Sequence, residues 1–306
     1  MDPILFLRFV FAGAIRAGAP VMYASLGETV TERAGIVNLG VEGSMLMGAC
    51  IGFMTTAETG SAWLGFLVGG LAGAVVSLMH AYLVVHARAN QLASGLVLLF
   101  FALGFTALVG RPYVSVQIGG FDVIAIPVLS EIPFFGPVLF RHDILTYIAY
   151  LLVPLIWWVM YRTRWGLALR AVGESRVVAF STGRNPALIA YAAVFFSGLM
   201  AGFGGAQLSL AYTHFWVEGM TNGIGFIAVA LVIFGMWHPA RVMLGVLLFG
   251  GATSLQLQLQ TLEIGISPFL LQMLPYLLTL SVLLLWGQAS KRAMPAELGV
   301  TFSRNG

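Results

Sequence analysis

Two polar side chains that could do chemistry, Asn38 and Glu42, lie four residues apart within a mostly apolar stretch. On a helix, this spacing places both side chains on one face. A carboxylate inside a membrane is costly, so it normally faces protein or a water-filled cavity. Glu42 could therefore line the path of a polar solute, relay protons, or simply hydrogen-bond a neighbouring helix. The residues alone leave these alternatives open.

Four more side chains are candidates for the same path. Asn222 and Phe226 open a short, glycine-containing apolar segment, and such segments often lie at the binding sites of transporters. Phe226 could pack against an aromatic base or against lipid. Gln207 lies near the end of the preceding apolar segment and could face a cavity or bridge helices. Gln256 belongs to the run LQLQLQ, where it points away from Gln258 on a helix and needs polar partners in protein or water.

The basic residues are concentrated in one polar stretch, the arginine-rich loop of residues 162–185. Five of the chain's fifteen Lys and Arg residues lie in it: Arg162, Arg164, Arg170, Arg176 and Arg184. Arg170 and Arg176 are expected to present charge at the surface together with Glu174. Three glycines are expected to allow turns: Gly166, Gly173 and Gly183. The loop is either an anchor for anionic lipid or a short docking helix for a soluble partner.

The composition predicts an all-α, polytopic membrane protein. The 306 residues are 59% hydrophobic and only 9% charged, with a mean hydropathy of +0.93. A soluble domain of this length needs more charge to cover its surface, and a β-barrel would alternate polar and apolar residues. The net charge of +3 does not indicate nucleic-acid binding, because the basic residues lie at the edges of apolar segments. The single Cys50 and the dispersed histidines indicate neither a disulfide framework nor a metal site.

Nine apolar segments, consistent with about eight to ten crossings, are predicted to form the transmembrane domain. They lie near residues 5–26, 36–56, 62–86, 90–110, 144–161, 186–211, 224–237, 241–261 and 268–288. The seventh is shorter than the about 20 residues that a comfortable crossing needs, so it is expected to be a half-helix or a re-entrant piece. No linker divides the chain, and residues 1–306 are therefore predicted to form a single domain.

The side of the membrane follows from the excess of basic residues in cytoplasmic loops. This rule places the arginine-rich loop, Arg88 and the tail of residues 289–306 in the cytoplasm. Residues 111–143 then form an external segment of short structured pieces. The N-terminus lies outside and residues 28–35 lie inside, with their charged side chains at the membrane interface.

The arginine-rich loop and three further stretches resemble a known family. The order G-x-A-L-R-A-V-G-E, followed by Ala179 and Gly183, resembles the coupling segment of ABC importer permeases for branched-chain amino acids, simple sugars and nucleosides. Ala24–Ala49 is similar to the signature of the nucleoside-type permeases. Ile126–Phe140 and Gly223–Ala252 resemble their outer segment and their late core helices. The resemblance therefore covers nearly the whole chain.

The resemblance implies partners and a role for the loop. Six residues match the segment that such permeases insert into a groove of the ATPase: Gly166, Arg170, Gly173, Glu174, Ala179 and Gly183. The implied partners are an ABC ATPase that binds ATP and Mg²⁺, a second homologous permease in a heterodimer, an external substrate-binding lipoprotein and the lipid bilayer. The implied location is the bacterial inner membrane. No cofactor is expected in this chain, which lacks the G-x-x-x-x-G-K-[ST] phosphate loop.

The expected function is the permease subunit of an ATP-driven importer for nucleosides. One alternative is the same type of importer carrying a simple sugar. Another is a proton-coupled secondary carrier, which Glu42 would support. An intramembrane protease would need a G-x-S-G turn, and the nearest stretch, Leu92–Gly95, lacks the first glycine.

Overall fold

Long helices carry most of the fold. The computed structural model describes residues 2–262 and 267–302, and within these ranges the predicted all-α class is confirmed, with two strands of only three residues each. The elements in chain order are α1 (Pro3–Arg33), α2 (Val41–Thr59), α3 (Ala62–Val85), α4 (Gln91–Gly110), β1 (Val123–Ala125), α5 (Phe135–Leu139), β2 (Arg141–Asp143), α6 (Ile144–Arg162), α7 (Arg164–Glu174), α8 (Arg176–Ser181), α9 (Pro186–Gln207), α10 (Ile224–Phe234), α11 (Pro239–Thr261), α12 (Pro268–Gln272) and α13 (Leu274–Ala293).

Six of the described helices are long and apolar enough to cross a membrane, namely α1, α3, α4, α6, α9 and α11. The protein is therefore a multi-pass membrane protein. The seventh predicted segment is indeed short, because α10 has only eleven residues. α9 continues into one π-helical turn, Leu208–Tyr212, and α12 is separated from α13 by Met273.

The first helix ends later than the sequence predicts. α1 runs for 31 residues to Arg33. Glu28 and Glu32, expected at the membrane interface, are instead buried inside the protein. The Ser197 hydroxyl of α9 donates to Glu28, and the Trp237 indole N–H donates to Glu32. Because neighbouring elements supply these donors, the helix continues through a polar stretch that hydropathy alone assigns to a loop.

Polar residues fix where six of the helices begin. In each case, the side-chain oxygen of the residue before the helix accepts a hydrogen bond from the backbone N–H three residues later, which satisfies a donor that the helix itself cannot. These residues are Ser61, Asn90, Asp143, Thr163, Ser175 and Asn185. Thr163 and Ser175 begin α7 and α8, so the arginine-rich loop is built from two short helices.

Helices α2, α3 and α9 pack with their backbones in close approach. A Cβ atom on Gly48 of α2 would overlap the backbone of Gly202 in α9. A Cβ atom on Gly73 of α3 would overlap the backbone of Gly198 and Gly202 in α9. Small residues at such contacts let membrane helices approach closely and pack by van der Waals contact. The three helices therefore form a tightly packed group, and α9 also packs against α1.

The helix bundle has two distinct ends. At the hairpin end, β1 pairs antiparallel with β2, and the predicted external segment is built from these strands, α5 and short turns. α6 runs from this end to the arginine-rich end over about 28 Å. The arginine-rich end holds α7, α8, the C-terminal end of α1 and the described tail residues 294–302. The side of the membrane that each end faces stays a prediction.

Candidate functional site

A buried carboxylate joins the starts of two helices. Glu42 lies in the first turn of α2 and is 4% exposed. Its Oε1 accepts hydrogen bonds from the Thr221 hydroxyl at 2.7 Å and from the Gly223 N–H at 2.8 Å. Its Oε2 accepts from the Gly225 N–H at 2.5 Å. Because Gly223 and Gly225 lie where α10 begins, the carboxylate occupies the N-terminal ends of both α2 and α10.

The segment that binds this carboxylate, residues 221–225, is called the glycine turn. Gly223 has a φ of +87°, which glycine adopts without strain. A Cβ on Gly225 would lie 2.6 Å from the Glu42 Cα, so only glycine fits there. Free N–H groups and the helix dipole favour a negative charge at a helix N-terminus. Through these three hydrogen bonds, Glu42 positions the glycine turn.

A cavity of about 410 Å³ lies beside the glycine turn, between α1, α10, α11 and the start of α13. Its polar lining groups are hydroxyls, phenols and amides: Tyr212, Thr221, Asn222, Thr253, Gln256, Gln272 and Tyr276. No acidic or basic side chain is among its lining residues. This size is typical of small-molecule sites, and such a lining suits a neutral solute with several hydrogen-bonding groups.

The structure brings two of the six predicted path residues, Asn222 and Gln256, into this cavity. Glu42 acts on it indirectly, through Thr221. The other three predicted residues, Asn38, Gln207 and Phe226, do not line it.

Asn38 precedes α2, so the prediction that it shares a helix face with Glu42 is wrong. Its Oδ1 accepts from the Gly40 N–H at 2.9 Å, and its Nδ2 donates to the Ser77 hydroxyl at 3.4 Å. The side chain therefore shapes the turn between α1 and α2. A helix assignment from hydropathy alone could not locate this break, because the stretch is apolar on both sides.

Two further cavities differ from each other in the polarity of their lining residues. One of about 280 Å³ at the hairpin end shares Ala17 and Tyr212 with the first, and the Arg16 guanidinium lies 5.9 Å from the Tyr212 ring. Burial lowers the pKa of His142 in this cavity, and nearby Arg16 adds to the effect. Gln258 also lines it, so Gln256 and Gln258 face different cavities, as their spacing predicts.

A cavity of about 690 Å³ lies between α1, α6 and α11 and is lined mainly by apolar side chains. Met22, Val153 and Leu247 are typical of its lining. Such a surface offers few hydrogen bonds to replace the water around a polar solute. The cavity beside the glycine turn is therefore the better candidate for solute passage.

The arginine-rich loop presents an apolar surface flanked by charge. Four of its apolar side chains are between 56% and 68% exposed: Leu167, Val177, Val178 and Phe180. Glu174 and three of the arginines are exposed beside them: Arg162, Arg164 and Arg184. Exposed apolar side chains rimmed by polar groups mark surfaces that bind other proteins.

The six residues predicted to act in ATPase coupling divide between this surface and the packing beneath it. Glu174 and Gly183 are exposed, and Gly183 ends α8 with a φ of +79°. Arg170 is half-buried, with its guanidinium 5.0 Å from the Tyr161 ring. The three others are buried: Gly166, Gly173 and Ala179.

Two of these glycines correct the prediction of turns. Gly166 and Gly173 lie inside α7. A Cβ on Gly166 would overlap the Met160 carbonyl, and one on Gly173 would overlap the Arg33 carbonyl. These glycines let α7 pack closely against the ends of α6 and α1.

The expectation that Arg176 presents charge at the surface is also wrong. Its side chain is 3% exposed and forms an ion pair with Glu297 at 3.6 Å. Burial lowers the pKa of Arg176, while the nearby Glu297 carboxylate opposes this shift. An arginine guanidinium nevertheless stays protonated at neutral pH. No local pattern could indicate this pair, because its members are 121 residues apart.

Comparison with known proteins decides the family. Residues 10–284 match the family described as "Branched-chain amino acid transport system / permease component". The chain belongs to this permease family. The match confirms the resemblance drawn from the arginine-rich loop and from Ala24–Ala49.

Three relatives show which members of the family the permease is similar to. It is 36% identical to "Nucleoside ABC transporter permease protein" of Lactococcus lactis, over 100% of both chains. It is 33% identical to "Guanosine ABC transporter permease protein" of Bacillus subtilis, over 99% of this chain and 98% of the relative. It is 42% identical to "Putative glucose ABC transporter permease protein" of Haloferax volcanii, over 83% and 78%. No solved structure matches the permease.

Four lining residues of the permease are not among the residues predicted from the sequence to line the path: Thr221, Thr253, Gln272 and Tyr276. Thr253 lies three residues before Gln256, and helical spacing could have indicated that they share a face. Gln272 and Tyr276 reach the cavity only because α12 and the start of α13 fold back beside α11. Nothing local in the sequence predicts that placement.

Proposed function

We propose that this permease subunit moves nucleosides through the cavity beside the glycine turn. The observation that carries the proposal is the uncharged lining, with hydroxyl and amide groups next to the Tyr212 and Tyr276 rings. A nucleoside is neutral and combines an aromatic base with a hydroxyl-rich sugar. The amides suit the polar edges of the base, and the phenol rings suit its faces. The nucleoside and guanosine relatives support the same choice.

Energy for transport comes, in this proposal, from an ATPase that binds ATP and Mg²⁺ and docks on the arginine-rich loop in the cytoplasm. Leu167 and Phe180 form the apolar part of the docking surface, and Glu174 and Arg170 lie at its edge. Gly166, Gly173 and Ala179 keep the two docking helices packed on the bundle. A second homologous permease completes the pathway as a heterodimer, and an external lipoprotein receptor selects the solute.

A simple sugar is the second candidate for the solute. The relative named for glucose transport is 42% identical to this chain, which is higher than the identity to the nucleoside relatives. A sugar would use the same amides and hydroxyls but would leave the phenol rings without an aromatic partner.

The solute can be identified by competition. We would reconstitute the permease with its ATPase, second permease and receptor in vesicles and follow uptake of labelled guanosine. The proposal expects saturable uptake that excess inosine or adenosine reduces and excess glucose leaves unchanged. Uptake of labelled glucose that guanosine does not reduce would contradict a nucleoside as solute.

Replacement of Asn222 or Gln256 by alanine is expected to raise the KM for transport by about fivefold each, because each change removes about one hydrogen bond of about 1 kcal/mol. Vmax should change little, since neither side chain takes part in the hydrogen bonds between Glu42 and the glycine turn. Initial rates against solute concentration provide the measurement. Gln258→Ala on the other face of α11 is the matched control. If it raises KM as much as Gln256→Ala does, the assignment of the cavity is wrong.

A further inference from the structure

Arg176 ties three parts of the arginine-rich end together. Its guanidinium donates to the Gly35 carbonyl, which follows α1, at 3.2 Å. It also donates to the tail carbonyls of Val300 and Thr301, each at 3.2 Å, and pairs with Glu297. None of these groups belongs to the arginine-rich loop itself. The exposed docking surface therefore has a buried attachment beneath it.

The tail segment that receives these bonds, residues 295–302, is called the strap. Its Glu297 N–H donates to the Gly173 carbonyl of α7 at 2.9 Å, and the Glu297 carboxylate accepts from the Arg176 N–H at 3.2 Å. At the far end of the strap, the Phe302 ring lies 4.3 Å from the Arg176 guanidinium. Phe302 is buried in an apolar cluster with Ile36 and other residues. The strap thus lies across the docking helices and reaches the loop between α1 and α2.

One side chain connects the strap to that loop directly. The Gln91 amide donates to the Val300 carbonyl at 2.9 Å, and its oxygen accepts from the Val37 N–H at 2.8 Å. Gln91 begins α4 and is 3% exposed. Both of its hydrogen bonds are therefore shielded from water. Together with Arg176, it holds the loop between α1 and α2 against the strap.

This loop leads to the candidate cavity within a few residues. The Asn38 N–H donates to Glu28, and α2 begins at Val41. Glu42 follows Gly35 by seven residues and positions the glycine turn through Thr221. A shift of the Arg176–Gly35 contact would therefore reach the cavity wall through one short, well-bonded stretch of chain.

We propose that Arg176, Gln91 and the strap form a joint that transmits movement of the docking helices to the glycine turn. A buried guanidinium separated from its carbonyls and its carboxylate would be left unpaired, which is strongly unfavourable. The docking helices, the strap and the loop between α1 and α2 consequently move together. Arg176 and Gln91 are positioning residues for transport. This inference rests on the proposed docking of an ATPase on the arginine-rich loop.

The test measures the ratio of solute taken up to ATP hydrolysed in the reconstituted complex. Gln91→Glu keeps the acceptor for Val37 and removes the donor to Val300, so the joint is weakened while the docking surface stays intact. The inference expects the ATPase to co-purify as in the wild type and the ratio to fall by about tenfold. Arg176→Gln should lower the ratio at least as far. Arg88→Gln, at an exposed arginine three residues before Gln91 and outside the docking surface, is the control and should leave the ratio unchanged.

A joint that only stabilises the fold would lower the yield of complex but not the ratio for each complex recovered. A ratio within about twofold of wild type in Gln91→Glu complexes would therefore overturn the inference, whether or not Arg176→Gln folds. Failure of the wild-type complex to couple uptake to ATP hydrolysis would overturn the proposed function instead. The two failures are thus distinguishable.

Discussion

Replacement of Glu42 by glutamine is expected to lower solute uptake by the assembled transporter by at least about tenfold. The carboxylate accepts hydrogen bonds on both oxygens from Thr221, Gly223 and Gly225. A glutamine presents one NH₂ group, which must face either the Gly223 N–H or the Gly225 N–H. The two donors repel each other, so the glycine turn shifts away from α2. Initial rates of labelled guanosine uptake, normalised to the amount of folded permease, provide the measurement.

The matched control for this change is Glu58→Gln. Glu58 lies on the same helix but is exposed at the other end, where it accepts a hydrogen bond from the Tyr113 hydroxyl. Its replacement should leave uptake within about twofold of the wild-type value. Equal losses in the two variants would mean that the position of Glu42 between two helix starts is unimportant.

A second variant separates positioning from proton relay. Thr221→Val removes one hydrogen-bond donor to Glu42 and leaves the Glu42 carboxyl group itself in place. If Glu42 positions the glycine turn, uptake should fall by about fivefold, which corresponds to one hydrogen bond of about 1 kcal/mol. A proton relay through Glu42 predicts little loss. Full uptake by Thr221→Val with none by Glu42→Gln would favour the relay.

Replacement of Phe180 by alanine is expected to weaken binding of the ATPase by about thirtyfold, because an aromatic anchor at an interface typically contributes about 2 kcal/mol or more. Phe180 is 68% exposed on α8 and makes little contribution to packing within the bundle. The permease should therefore fold normally. Titration of the purified ATPase against the permease in detergent measures the affinity.

Phe135→Ala is the control for the docking surface. Phe135 is 58% exposed on α5 at the hairpin end, far from the proposed ATPase site. Its loss should leave ATPase affinity unchanged. If Phe180→Ala binds the ATPase as tightly as Phe135→Ala does, the exposed face of α8 is not the docking surface.

The large features of the fold could be predicted from the sequence because each has a local cause. Long apolar segments predict the spanning helices, and the short apolar segment after Asn222 predicts α10. Capping residues such as Thr163 and Asn185 lie directly before α7 and α9, so the starts of these helices also have a local cause. The order of glycines and charges in the arginine-rich loop, together with Ala24–Ala49, was sufficient to identify the family.

Features that depend on distant partners could not be predicted. Glu28 and Glu32 look like interfacial charges until Ser197 and Trp237 are placed beside them. Arg176 looks like a surface charge because its carboxylate partner lies 121 residues further along the chain. The local sequence pattern predicts which residues share a helix face. It does not predict which other element of the fold packs on that face.

In the candidate site, too, some residues could be predicted from local sequence and others depend on distant partners. Asn222 and Gln256 could be singled out because polar residues are rare within apolar segments. The role of Glu42 as an anchor for the glycine turn depends on two helices whose first residues, Val41 and Ile224, lie near each other in space but 183 residues apart in sequence. Hydropathy does not predict that the starts of α2 and α10 lie side by side. It also does not predict the break between α1 and α2 that places Asn38 outside α2.

In the proposed function, this permease carries solute only when a separate ATPase drives the complex. The most direct test compares labelled guanosine uptake by vesicles that contain the permease alone with uptake by vesicles that contain the full complex with its ATPase and second permease. We expect uptake by the full complex when ATP reaches the ATPase, and no uptake by the lone permease under any pH gradient. Uptake by the lone permease driven by a pH gradient would contradict the proposed function.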